Sequence, residues 1–222
     1  MPAHLTTKSE EIKWGDEWGA GVLSINEKSN ASLKLHYCLE GIADEKGKLL
    51  EIGCGQGKFL RAIRTHSGLD RTFFGCDINV QSIQKIRAVR RQGEEIHYCA
   101  GDLSRLPFVD SSFDVVFFFD VLEHVNQVEE SINELGRIMK PSALLHAFIP
   151  CEGNIWTLHG LLLKLGIGRR LKKELAGHVQ QLVTNKVLDS FRLYGFTLEK
   201  VRYSGYFLEQ LFDLLFYIGL KF

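Results

Sequence analysis

The chain of 222 residues is 45% hydrophobic and 24% charged, which are ordinary values for a globular protein long enough to bury a full core. Its 27 Lys and Arg residues balance 27 Asp and Glu residues, so there is no general bias towards nucleic acid or an anionic membrane. Five scattered cysteines without a CxxC pair indicate reduced thiols and argue against a disulfide framework or a zinc site.

Between residues 48 and 149, short apolar runs alternate with amphipathic or polar stretches of helix-forming residues. This alternation predicts an α/β fold with a doubly wound, mostly parallel sheet and helices on both faces. The predicted strands are Leu49–Ile52, Thr72–Asp77, Ile96–Ala100, Asp114–Phe119 and Ala143–Ile149, and the predicted helices are Lys58–Thr65, Gln81–Arg91 and Val128–Met139.

The pattern changes after Pro150. Ile155–Leu165 is amphipathic, and Thr184 is the predicted N-cap of a helix that runs to Leu193 and ends at Gly195. Thr197–Tyr203 alternates like a strand. The strongly apolar stretch Tyr206–Leu220 predicts a terminal helix packed on the core, with membrane contact as the alternative.

The first predicted strand ends in LLEIGCGQG, residues 49–57, where three glycines occupy alternate positions. A Walker loop is excluded because Phe59, not Ser or Thr, follows Lys58. Lys58 also stands where a dinucleotide-binding loop has its third glycine, which weakens an NAD site without eliminating it. Alternate glycines still let the backbone approach a ligand, with loop N–H groups facing an anion such as a carboxylate.

An acidic residue recurs at the end of four predicted strands: Glu51, Asp77, Asp102 and Asp120. Because the carboxyl ends of parallel strands meet at one edge of a sheet, these acids should border one ligand site. Asp77 can accept hydrogen bonds from both hydroxyls of a ribose. Asp102 can accept from an adenine amine while Leu103 packs against the ring. Any one of them alone could be a capping or turn carboxylate, but four in register favour a nucleoside site.

Four motifs in this order resemble those of the class I S-adenosylmethionine-dependent methyltransferases: LLEIGCGQG, Asp77, GDLSRLPF at 101–108 and FDVVFFFDVLEHV at 113–125. The resemblance implies a seven-stranded, doubly wound sheet with S-adenosylmethionine as cofactor. It implies that the glycine loop lies against the methionine part and that Asp120 lies near the sulfonium. The implied cofactor contacts are Glu51, Gly53, Gly55, Gly57, Asp77, Ile78, Asp102, Leu103 and Asp120.

The second half is similar to the ubiquinone-biosynthesis O-methyltransferases, which implies O-methylation of a small or lipid-like acceptor. In those enzymes an acid-x-x-Glu-His step binds metal. Asp120, Glu123 and His124 match it, with Asp in the first place, so a divalent metal there is one of two interpretations that the resemblance leaves open. The alternative is a site without metal, in which His124 is a pocket wall or a catalytic base. His178 matches a histidine over the substrate pocket and is the second catalytic candidate.

These expectations give one domain, with residues 1–47 as a helical cap, 48–149 as the cofactor-binding core, and 150–222 as a substrate lid and C-terminal part. Two other functions stay open: a metal-independent sugar or natural-product methyltransferase, and a non-catalytic cofactor-binding partner subunit. With no signal peptide and no apolar run of roughly 20 residues, we expect a soluble, cytoplasmic protein. Peripheral membrane contact and a homodimer are compatible with it, whereas nucleic acid as a substrate is disfavoured.

Overall fold

The computed structural model of the protein describes residues 21, 23–25, 29–68, 70–88, 95–151, 153–154 and 179–204. The predicted helices at Ile155–Leu165 and Tyr206–Leu220 lie outside these residues, as does His178. Among the described residues, no helix combines the length and the apolar character that crossing a bilayer requires.

Helices and strands alternate along the described part of the chain, as the sequence predicts. Between residues 48 and 149 every predicted element is present, with small differences at the ends. The helices are α1 (Asn30–Gly41), α2 (Lys58–Thr65), α3 (Val80–Ala88), α4 (Val128–Ile138) and α5 (Thr184–Leu193). The strands are β1 (Gly47–Ile52), β2 (Arg71–Asp77), β3 (Ile96–Ala100), β4 (Phe113–Phe119) and β5 (Met139–Phe148), and a 3₁₀ turn spans Leu122–His124.

The strands form one parallel sheet in the order β3-β2-β1-β4-β5. Five strands belong to it within the described residues, against the seven that the resemblance implies. The chain moves from β1 towards one edge and then returns to place β4 on the other side of β1. This reversal opens a cleft at the carboxyl ends of β1 and β4, where Ile52 is in register with Phe118. Open α/β sheets bind their ligands in such a cleft.

Side chains on the two sides of the sheet build two separate cores, which makes the sheet doubly wound as predicted. One core contains Leu49 and Phe117 and is covered by α1, α2 and α3; the other contains Leu50 and Phe118 and is covered by α4 and α5. Successive strand residues alternate between the two cores because they point to opposite faces. The covered sheet therefore holds the strand ends, and the residues that follow them, in fixed positions.

The start of α5 corrects one detail of the prediction. Thr184 is the first residue of the helix and not its N-cap, which is Val183. The side chain of Asn154 accepts a hydrogen bond from the Thr184 N–H at 3.2 Å and donates to its hydroxyl at 2.7 Å. The first N–H of the helix is thus hydrogen-bonded by a side chain that lies 30 residues earlier in the sequence. Gly195, with φ of +86°, ends the helix as predicted.

The predicted strand at Thr197–Tyr203 is wrong, because this segment has no strand pairing in the structure. Side chains attach it to α1 instead. Lys200 and Arg202 both donate to the Glu40 carboxylate, at 3.2 and 2.5 Å, and the Arg202 guanidinium lies 4.4 Å from the centre of the Tyr37 ring. The alternating sequence pattern reflects these contacts and not a place in the sheet.

The two cores predict a large difference between two leucines. Leu135 of α4 is fully buried against the sheet, whereas Leu193 of α5 is 74% exposed. We expect Leu135→Ala to lower the free energy of unfolding by about 2–5 kcal/mol, because it leaves a cavity in the core. The matched control Leu193→Ala should change it by no more than about 0.5 kcal/mol. Urea unfolding followed by circular dichroism measures both; equal effects would contradict this packing.

Candidate functional site

The glycine loop after β1 is fastened to the end of β2 by its own backbone. The N–H groups of Gly53 and Cys54 both donate to the Cys76 carbonyl, at 2.8 and 3.2 Å, and the Gly57 N–H donates to the Cys54 carbonyl at 2.7 Å. These donors are used inside the protein. The prediction that the loop N–H groups face an anion is therefore wrong for these three, because closing the turn consumes them.

The glycines are explained by backbone conformation and by close packing. Gly53, Gly55 and Gly57 all have φ between +51° and +76°, which is the left-handed region that disfavours other residues. A Cβ on Gly53 would collide with Cγ2 of Val121, and one on Gly57 would lie 2.6 Å from the Tyr98 hydroxyl. Gly53 is exposed at the cleft, so it offers a ligand a bare backbone surface.

Asp77, at the end of β2, is hydrogen-bonded to the glycine loop that follows β1. One carboxylate oxygen accepts the Gly55 N–H at 2.6 Å and the other accepts the Asn79 N–H at 2.8 Å. Burial raises the pKa of Asp77, although these two hydrogen bonds act against the rise. A carboxylate has about four acceptor positions, so both oxygens keep capacity for ribose hydroxyls. The next residue, Ile78, is 57% exposed and offers an apolar surface beside them.

Glu51 lies beneath the glycine loop with only 2% of its surface exposed. Burial raises the pKa of Glu51 well above its usual range, and the nearby Asp77 carboxylate adds to this, whereas a backbone hydrogen bond from Leu60 and the charge of Arg61 lower it. Within the described part of the chain, its Oε2 has no hydrogen-bond partner. A buried carboxylate without its full set of donors is costly. A cationic amine of a ligand lying on the loop would supply the missing donor.

Asp102, the predicted adenine contact, acts in this structure as a turn carboxylate. Its Oδ1 accepts hydrogen bonds from both the N–H and the hydroxyl of Ser104, each at 2.8 Å. Leu103 is buried in the core under α4 and α5. A contact of either residue with adenine stays a prediction.

Arg137 of α4 fixes the loop that carries Asp102, and no sequence motif marked this residue. Its guanidinium donates to the Asp110 carboxylate at 2.7 Å, the Phe108 carbonyl at 2.8 Å and the Glu134 carboxylate at 2.7 Å. The loop stays close to α4 because the contacts with Asp110 and Phe108 span 27 and 29 residues of sequence, while Glu134 of the same helix holds the guanidinium in place. The Glu134-Arg137 spacing was the one signal available, and it predicts only a local pair.

Asp120 follows β4 directly and has a φ of +54°, which is unusual for a residue other than glycine. Its N–H donates to the Phe148 carbonyl at 3.1 Å, and its carboxylate forms an ion pair with Lys34 of α1. The acid therefore follows the carboxyl end of β4, as predicted, and its backbone is hydrogen-bonded to the end of β5. The cation that it meets comes from a helix far away in the sequence.

The predicted metal site at Asp120, Glu123 and His124 is wrong. Across the part of the chain that the structure describes, no three His, Cys, Asp or Glu side chains are grouped as metal ligands. Asp120 is directed to Lys34, and Glu123 is buried in a 3₁₀ turn instead of standing one α-helical turn away. The spacing of Asp120, Glu123 and His124 would place them on one face of an α-helix, but no α-helix forms at this segment.

The 3₁₀ turn brings His124 and Glu123 together and anchors the segment that follows residue 178. Nε2 of His124 lies 3.9 Å from Oε1 of Glu123. The Glu123 carbonyl accepts the N–H groups of Val179 and Gln180, both at 3.0 Å. These two backbone bonds hold the chain immediately after His178 against the turn, although His178 itself lies outside the described residues.

Comparison with known proteins gives this site its family context. Residues 50–147 match the family described as a methyltransferase domain. The chain is 32% identical over 149 residues to 24-methylenesterol C-methyltransferase 2 of Oryza sativa subsp. japonica, an alignment that covers 64% of this chain and 40% of that protein. It is 29% identical over 153 residues to a sterol 24-C-methyltransferase of Gibberella zeae, covering 65% and 39%. The chain thus spans about two fifths of the length of these curated relatives.

The fold agrees with that match. A solved S-adenosylmethionine dependent methyltransferase from Mesorhizobium loti superposes with a TM-score of 0.62 over 86% of this chain and 92% of that one, at 18% identity. The predicted α/β fold with a doubly wound, mostly parallel sheet is confirmed, and residues 50–147 match the methyltransferase-domain family. The ubiquinone branch is not what these relatives show, since both are named for transfer to carbon of sterols.

The loop geometry predicts that Gly53 tolerates no side chain. We expect Gly53→Ala to cost about 1–2 kcal/mol of stability for the left-handed backbone alone, with the collision with Val121 adding to it. Gly68→Ala is the matched control, because a Cβ there meets nothing within 4 Å. Urea unfolding should show a loss for the first variant only. In Gly53→Ala with Val121→Ala the two losses should be less than additive, and strict additivity would refute the packing contact.

The burial of Glu51 predicts how stability depends on pH. The folded protein binds the Glu51 proton more tightly than the unfolded chain does, since the pKa of Glu51 is raised on folding. The free energy of unfolding should therefore fall as pH rises from about 4.3 towards the raised pKa, by up to about 1.4 kcal/mol per pH unit. Urea unfolding of wild type and Glu51→Gln at pH values from 4 to 8 isolates this effect as a difference. A difference independent of pH would contradict it.

Proposed function

We propose that this protein transfers the methyl group of S-adenosylmethionine to a lipid-like acceptor. The observation that carries the proposal is the joint of β1 and β2, where Asp77 accepts the Gly55 N–H and where, within the described residues, Oε2 of the buried Glu51 has no hydrogen-bond partner. This joint offers a backbone without side chains at Gly53 and Gly55, an acceptor for ribose hydroxyls at Asp77, and a buried acceptor for an amine at Glu51. The methyltransferase match over residues 50–147 supports the same cofactor.

The residues of this joint suit the successive parts of the cofactor. The Glu51 carboxylate would accept from the amino group, the bare surface at Gly53 and Gly55 would lie against the methionine chain, and Asp77 would accept from the ribose hydroxyls. The exposed side chain of Ile78 would cover one side of the adenine. When bound, the cofactor supplies a methyl group on a positively charged sulfur, ready for in-line displacement.

The protein's own task is then to align the acceptor and to exclude water. The cleft between β1 and β4 faces Asp120 and the 3₁₀ turn, and the turn binds the backbone at Val179 and Gln180. His178, the residue before this anchor, would contact the acceptor or act as a base in this proposal. Residues 150–222 would form the substrate lid and C-terminal part.

Two observations support a lipid-like acceptor. The similar proteins from Oryza sativa and Gibberella zeae are named for sterol methylation, which makes transfer to carbon the first candidate. The sequence also contains the apolar stretches Ile155–Leu165 and Tyr206–Leu220, which suit a hydrophobic substrate. A cytoplasmic protein in peripheral contact with a membrane, as a monomer or homodimer, belongs to the same proposal.

Transfer to oxygen is the second candidate, and the pair of His124 and Glu123 favours it. An oxygen nucleophile must lose its proton, whereas an alkene carbon attacks without prior deprotonation. The imidazole of His124, 3.9 Å from the Glu123 carboxylate, is a base of the right kind after β4. In this candidate, His124 would accept the hydroxyl proton.

Calorimetry tests the cofactor part. We expect wild type to bind S-adenosylmethionine and S-adenosylhomocysteine, and Asp77→Ala to bind both about 100-fold more weakly, since two hydrogen bonds to a charged acceptor are lost. Asp70→Ala is the matched control because Asp70 is exposed just before β2. Unchanged binding by Asp77→Ala would refute the ribose role. The loss of affinity caused by Asp77→Ala should be smaller for the 2′,3′-dideoxy derivative of S-adenosylhomocysteine, which lacks the ribose hydroxyls.

Transfer of tritiated methyl tests the acceptor part. We expect label in an organic-extractable product from a sterol with a side-chain alkene, or from a polyprenylated phenol, and not from a free sugar. Product from the alkene supports transfer to carbon, and product from the phenol that His124→Gln lowers about 100-fold supports transfer to oxygen. Label in the sugar alone would contradict a lipid-like acceptor. Cofactor binding with no transfer to any of the three would contradict the proposed activity and support a non-catalytic partner subunit.

A further inference from the structure

Lys34 brings a positive charge to the candidate site from outside the methyltransferase match. It lies on α1, whereas the match begins at residue 50. Its ammonium forms an ion pair with Oδ2 of Asp120 and lies 4.1 Å from the centre of the Phe148 ring. The side chains of Lys34 and Asp120 are only 11% and 30% exposed, so water screens this pair weakly.

The backbone holds Asp120 where its charge acts on the cleft. Its left-handed conformation and the hydrogen bond from its N–H to the Phe148 carbonyl fix its backbone, and the ion pair with Lys34 orients its carboxylate. The following residue, Val121, packs so closely on Gly53 that a Cβ would not fit between them. Asp120 therefore directly precedes the residue that contacts the glycine loop.

We propose that Lys34 is a positioning residue that orients Asp120 and neutralises it beside the sulfonium of the methyl donor. This inference rests on the proposed function. The positive charge of the sulfonium disappears during methyl transfer, so a bare carboxylate nearby would stabilise the ground state more than the transition state and slow the reaction. The Lys34 ammonium supplies the counter-charge, and the face of the Phe148 ring holds the ammonium in place.

The proposal predicts opposite effects from removing either charge. S-adenosylmethionine carries a charged sulfur and S-adenosylhomocysteine a neutral one, so the ratio of their affinities reports the field at that atom. We expect Lys34→Met to raise the preference for S-adenosylmethionine by about tenfold and Asp120→Asn to lower it by a similar factor. The double variant should return close to the wild-type ratio. In single-turnover experiments, Lys34→Met should also slow methyl transfer.

Calorimetry with both ligands measures the ratio, and Lys140→Met is the matched control. Lys140 pairs with Asp114 at 2.6 Å, at the amino ends of β4 and β5 and thus at the opposite edge of the sheet. Its loss should leave the ratio unchanged. Lys34→Arg keeps the charge and should also keep the ratio, which covers the case in which Lys34→Met does not fold.

Three outcomes would overturn the proposal. The ratio could stay unchanged in both charge-removing variants that fold, it could move in the same direction in both, or Lys34→Arg could change it as much as Asp120→Asn does. Each result would leave Lys34 a purely structural residue. Wild type that binds neither ligand would instead refute the proposed function, so the two failures are distinguishable.

Discussion

The hydrogen bond from the Gly55 N–H to the Asp77 carboxylate is the contact on which the candidate site depends. It joins the loop after β1 to the end of β2, and the sheet places these two strands side by side. Gly55 donates its N–H to the Asp77 carboxylate from a backbone with positive φ, which glycine adopts most easily. The glycine pattern and the acid therefore belong to the same structural feature. The turn that this hydrogen bond closes also exposes the backbone at Gly53 and leaves acceptor positions free on the Asp77 carboxylate.

Negative charge is distributed unevenly around this contact. Glu51 is buried with an oxygen that lacks a partner in the described part of the chain, whereas Asp120 is matched by Lys34. In the proposed function, the unpaired Glu51 would accept from the amino group, whose positive charge persists through the reaction. Asp120, paired with Lys34, would lie near the sulfur, whose positive charge disappears. The two acids would thus do different work although the sequence presents them as equivalent strand-end residues.

Much of the fold is predictable from the sequence because the strands are continuous apolar runs and the helices are bounded by clear signals such as Gly195. The predictions fail where a distant side chain decides the outcome. Asn154 caps α5 in place of Thr184, and Glu40 holds the segment 197–203 that alternates like a strand. No local pattern contains such information.

The same division applies to the site. The acids at the ends of β1, β2 and β4 are visible in the sequence, because their register follows from the strands. The partner of Asp120 is 86 residues away, so only the folded chain reveals it. The metal prediction failed because it assumed one helical turn from Asp120 to Glu123 and His124, whereas Asp120 lies before the 3₁₀ turn with a positive φ and pairs with Lys34. Residue spacing predicts side-chain groups only as well as it predicts the backbone between them.

The methyltransferase match covers residues 50–147, and α1, which precedes it, contributes the Lys34 ammonium that pairs with Asp120. The proposal that the joint of β1 and β2 binds the methyl donor can be tested by a crystal structure with bound S-adenosylhomocysteine. Both ribose hydroxyls should then lie within about 3 Å of the Asp77 carboxylate, and the amino group should lie at Glu51 Oε2. A ligand bound elsewhere, with Asp77 contacting only Gly55 and Asn79, would contradict it.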